Sequence, residues 1–148
     1  MPGLSGLTQA SLHLRLVGAL LTLVGLAHLV LPRALGWADE MRRLSLVNRQ
    51  ISYVHTFFIG LMCIQFGLLA ALAGRELLTG APLAQAVLGA SVVFWGSRLA
   101  VQLFVFDPSL WRGRWITVPG HVAMLALWSY VTAVFGWSLV YPSPTALP

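Results

Sequence analysis

The chain has 148 residues, of which 58% are hydrophobic and only 9% charged, against roughly 45–50% and ~25% in soluble domains. That balance excludes an ordinary soluble domain, and the length leaves room for a single integral membrane domain, 1–148, with no second domain. The formal charge of +5 is carried by arginine alone, without lysine; these arginines sit mostly in the joints between apolar runs, where anionic lipid head groups rather than nucleic acid supply the counter-charge.

A bilayer core of ~30 Å needs about 20 apolar residues of helix, and four runs qualify. The first covers about 14–31, with Pro32 placed to stop it just past its end. It lacks a basic leader and a small-x-small cleavage site, so it reads as a retained span and not a signal peptide. Next, Trp37, Met41, Leu44 and Val47 recur at spacings of four and three among Asp39, Glu40, Arg42 and Arg43. This is the pattern of a short amphipathic helix lying in the interface. The second span covers about 51–73 and encloses Cys63; one cysteine permits no intramolecular disulfide, and in an apolar run it reads as a small core residue. Gly74 and Gly80 punctuate the following joint, Pro82 opens a third span over about 82–106, and Asp107-Pro108 breaks it. A fourth span covers about 117–140. The expected fold is therefore all-α: a four-transmembrane-helix, up-down bundle with one short interfacial helix between spans one and two.

The joints after spans one and three hold Arg33, Arg42, Arg43, Arg49, Arg112 and Arg114, whereas the other side holds only Arg15 and Arg75. The positive-inside rule places the rich side in the cytoplasm and both termini outside, in a bacterial inner membrane. Trp37, Trp111 and Trp115 fall at the rich level and fit an aromatic belt. Small residues four apart, Gly18 with Thr22, Ala70 with Gly74, and Gly96 with Ala100, are the expected points of close helix approach.

Polar residues inside the spans are expensive and so mark candidate sites. Measured from the ends of the apolar runs, His28, His55, His121 and Gln102 each lie about 5–6 Å inside the arginine-rich side. Arg98 is one turn deeper than Gln102 on the same face, and Trp95 continues that face. Each span thus contributes a polar group to one layer. Three imidazoles suit a transition metal with an open position, and a pair suits axial ligation of haem; yet no HxxxH, ExxH or CxxC spacing is present. Arg98 stays ionised and lies away from the four carboxylates, which sit beyond the apolar runs. Beside it a bare cation would be repelled unless Asp107 or an anion joined it. A quinone oxygen, a carboxylate, a lipid phosphate or a haem propionate would fit instead. The residues proposed to hold such a ligand are His28, His55, Trp95, Arg98, Gln102 and His121, with His28, His55 and His121 as the metal alternative. Arg49 guards the same level.

The run from Arg15 through Gly18, Gly25 and His28 to Pro32, in a chain of four short-looped spans, resembles the small bacterial four-helix membrane proteins of the DoxX-like kind. The resemblance covers mainly the first span and the layout. Arg49-Gln50, Tyr53 with His55, Phe94-Trp95, Arg98, Gln102, Phe106-Asp107-Pro108 and His121 look like the fixed points of a narrower bacterial family. Some DoxX-like proteins are implied to be membrane subunits of quinone-linked oxidoreductases, an analogy at the level of fold; no catalytic residue is assigned by it.

Three readings follow. One is a redox-associated protein binding a quinone-like or haem ligand in the layer. The second is a non-enzymatic membrane subunit, meeting a partner protein or a second copy of itself, in which the polar layer only holds helices together. The third is a metal-binding, small-solute or proton pathway, since imidazole titrates near neutral pH; the outer half, with no matching polar groups recognised, speaks against it.

Overall fold

A computed structural model describes residues 4–107 and 117–142. The intervening 108–116, with Trp111, Arg112, Arg114 and Trp115, lie outside the described residues. The chain is all-α as expected: α1 (Leu4–Ala34), α2 (Trp37–Met41), α3 (Leu46–Leu72), α4 (Gly74–Leu77), α5 (Pro82–Phe104) and α6 (Thr117–Val140). Four of these, α1, α3, α5 and α6, are long and apolar enough to cross a membrane. This is a multi-pass integral membrane protein.

Helix ends depart from the apolar runs where capping outweighs hydropathy. Pro32 does not stop α1, which continues to Ala34 with Pro32 inside it. Proline removes one N–H and its hydrogen bond, but its ring fixes φ near −65°, about the helical value, so the last turn can close around it. The stop is Gly36, whose φ of 66° is the left-handed conformation that glycine adopts without a Cβ clash. The interfacial helix is shorter than its pattern suggests. It ends at Met41, with Trp37 and Met41 partly covered and Asp39 paired with Arg42 on the exposed side. Leu44 and Val47, expected on the same stripe, are exposed, and Val47 already belongs to α3. That helix begins five residues before the apolar run because Ser45 caps it, its hydroxyl accepting from the Asn48 N–H. Polar residues Asn48, Arg49 and Gln50 are thereby helical, not loop.

The chain forms two compact units. The first, Arg15–Ala73, packs α1 against α3 through glycines. A Cβ on Gly67 would stand 2.5 Å from Thr22 Oγ1 and 2.8 Å from the Gly18 carbonyl oxygen, and one on Gly25 would stand 2.7 Å from the Gly60 carbonyl oxygen. Gly18 and Thr22, expected as a close-approach pair, do meet α3. Backbone contact this close is available only to glycine, and it compensates for the absence of a hydrophobic drive between helices in lipid.

The second unit joins α1 up to Leu14 with α4, α5 and α6. Its core contains Leu14, Leu78, Leu88, Trp95, Val131 and Phe135. Gly80, with φ of 76°, turns the chain between α4 and α5, and Thr79 Oγ1 accepts from the Ala81 N–H just before Pro82 opens α5.

Candidate functional site

Within the second unit, α5 and α6 carry a connected polar chain. Trp95, Arg98 and Gln102 recur at spacings of three and four, one face of α5. His121 and Trp128, seven apart, share a face of α6. The two faces meet with Trp95 stacked on Trp128, ring centroids 5.2 Å apart and planes within 12°. Both rings are buried, and Gln102 is 4% exposed. Arg98 donates from Nη1 to Gln102 Oε1 at 3.0 Å, and its guanidinium carbon lies 5.1 Å from the Trp128 ring centroid and 5.7 Å from that of Phe106. Those aromatic faces stabilise the charge where water is scarce.

The chain of bonds has a fixed direction. Guanidinium can only donate, so the Gln102 amide must turn its oxygen toward Arg98. Its nitrogen then faces His121, and Gln102 Nε2 donates to His121 Nδ1 at 2.7 Å. An amide nitrogen has no lone pair to accept with, so Nδ1 must be the bare ring nitrogen and the proton sits on Nε2. Arg98 thus sets the tautomer of a histidine on another helix. The arrangement thus joins a guanidinium, an amide and an imidazole in one hydrogen-bonded set across α5 and α6. Beside it Trp128 Nε1 is buried without a hydrogen-bond partner, a donor whose burial is costly in a dry setting.

His28 and His55 belong to the Arg15–Ala73 unit, and each bonds back to its own helix. His28 Nδ1–H donates to the Val24 carbonyl at 2.7 Å, and His55 Nδ1–H to the Ile51 carbonyl at 3.0 Å. A carbonyl only accepts, so both rings carry a proton on Nδ1, where His121 has none. His28 is half-buried against Gly60, whereas His55 is exposed. Of the six expected ligand residues, Trp95, Arg98, Gln102 and His121 therefore form one connected set. Among the described residues no group of three or more His, Cys, Asp or Glu is gathered to hold a metal ion.

Sequence reasoning passed over Trp128, although its spacing of seven from His121 was a readable signal. It also passed over His13, bonded through Nδ1 to the Tyr130 hydroxyl at 2.7 Å; no local spacing links residues 117 positions apart. Compared with protein-family models, with curated proteins and with solved structures, the chain gives no match.

Proposed function

We propose that this membrane protein binds an oxygen-bearing, lipid-accessible ligand, a quinone-like molecule or a haem held by its propionates, at the α5–α6 donor set. The observation that carries the reading is the directed chain Arg98 to Gln102 to His121, which fixes a guanidinium and an imidazole relative to each other across two helices. Such donors suit a carbonyl or carboxylate oxygen and repel metal cations. Arg98 supplies the charge, and Gln102 positions Arg98 and His121 relative to each other. The DoxX-like layout and a redox-associated role belong to the same proposal, as does an inner-membrane location with the arginine-rich ends in the cytoplasm and both termini outside.

The test is to purify the protein in mild detergent, record its optical spectrum and analyse a solvent extract by mass spectrometry. The expected result is a stoichiometric haem band or an extracted quinone-like molecule in wild type, with occupancy reduced at least tenfold in Arg98→Gln, which removes a charge-assisted bond. A wild-type sample that is colourless and yields no oxygen-bearing ligand overturns the reading.

One observation favours a second reading. The Gln102–His121 bond joins α5 to α6 directly, as interhelical polar bonds do in assembly subunits. Under it, His121→Ala weakens the helix pair and removes no ligand.

A further inference from the structure

The second unit contains a groove that the donor set does not use. It lies between the first turns of α1 and the last half of α6, with a volume of about 460 Å³, inside the range of small-molecule sites, ~300–1,000 Å³. The two segments run antiparallel: His13 meets Tyr130, and seven residues away in each helix Gly6 and Trp137 line the same space. Small residues create it. Gly6, Ala10 and Ala133 stand where larger side chains would close the gap, and a Cβ on Gly6 would meet nothing within 4 Å.

Among the described residues no Arg, Lys, Asp or Glu lines the groove, so a charged ligand would enter without compensation in a low-dielectric setting. Its polar centre is amphoteric. If the Tyr130 hydroxyl donates to His13 Nδ1, the pair keeps the imidazole Nε2–H as donor and the phenolic oxygen as acceptor. If His13 Nδ1–H donates instead, the pair keeps the tyrosine O–H as donor and Nε2 as acceptor. Either tautomer offers one of each, which matches a hydroxyl, since a hydroxyl also donates and accepts. Tyr130 and Trp137 add aromatic surface suited to a flat ring.

We infer that the groove between α1 and α6 is a binding site for an uncharged, lipid-soluble molecule with a hydroxylated aromatic ring, its hydroxyl bonded to the His13–Tyr130 pair. The site lies at the arginine-poor end of the spans and needs nothing from the α5–α6 donor set.

The experiment uses the full chain in nanodiscs of uncharged phospholipid, in a slightly acidic buffer that keeps phenols neutral. Dibromophenol, a heavy-atom quencher, is titrated against tryptophan fluorescence, with dibromobenzene as the partner lacking the hydroxyl. The Trp137 contribution is isolated by subtracting Trp137→Phe. Dibromophenol is expected to quench Trp137 saturably and at least tenfold more effectively than dibromobenzene. The double variant His13→Ala/Tyr130→Phe should bring the phenol down to the level of dibromobenzene, and Ala133→Phe, which fills the groove and leaves the polar pair intact, should abolish saturation for both. Size-exclusion profiles report whether each variant is folded. Equal, linear quenching of wild-type Trp137 by both compounds, the behaviour of an acyl-filled groove, overturns the proposal. So does hydroxyl-selective saturation that survives in a folded Ala133→Phe protein.

Discussion

A single amide holds the α5–α6 site in register. Gln102 satisfies two helices at once, accepting from Arg98 and donating to His121, and at 4% exposure it has little water to fall back on. Gln102→Leu is therefore expected to destabilise the protein by about 1–2 kcal/mol, the cost of orphaning buried polar groups moderated by their finding other partners in the membrane. Gln102→Glu should retain the link, because a carboxylate accepts from Arg98 and from a His121 ring that moves its proton to Nδ1. Thermal melting in detergent, followed by circular dichroism, ranks the two. Equal destabilisation by both variants would mean that the bonds do not hold this site. The face that carries Trp95, Arg98 and Gln102 was legible in the sequence because helical periodicity alone puts them together. The direction of the bonds was not, since it depends on a partner 19 residues away in another helix. The same limit hid His13 and Tyr130.

At the scale of elements, the α1–α3 pair depends on backbone approach. The Gly67 position has no slack: a Cβ there would meet a hydroxyl and a carbonyl of α1 at 2.5 and 2.8 Å, and a carbonyl cannot swing aside as a flexible side chain can. Gly67→Ala is expected to cost about 1–3 kcal/mol through overpacking. Gly89→Ala on α5, with open space around its Cβ, should be neutral or stabilising by up to about 1 kcal/mol. Unfolding of both variants in mixed detergent micelles provides the comparison, and a Gly67→Ala protein as stable as Gly89→Ala would remove the close-approach account. Four spans were readable because about 20 apolar residues in a row have few alternative uses. Their ends were less readable. Hydropathy could not see that Ser45 starts α3 before the apolar run, or that Gly36, and not Pro32, ends α1; those ends are decided by caps and φ angles at single positions.

For the whole molecule, two properties meet: four spans that need a bilayer, and arginines concentrated in the sequence joints after spans one and three. Reporter fusions at each terminus test the orientation, with a phosphatase active only outside the cytoplasm expected to be active at both ends; activity at neither would reverse the topology. The chain's four histidines also report on the site together, because hydrogen-bond direction assigns a tautomer to three of them. Nitrogen-15 NMR of histidine-labelled protein in lipid bilayers, with signals assigned by single His→Gln variants, reads all of them in one spectrum. The expected result is His28 and His55 carrying the proton on Nδ1 and His121 carrying it on Nε2, with His121 moving to the Nδ1 form in Gln102→Glu. A wild-type spectrum with His121 protonated on Nδ1 would contradict the directed chain from Arg98 and, with it, the donor set on which the binding proposal rests.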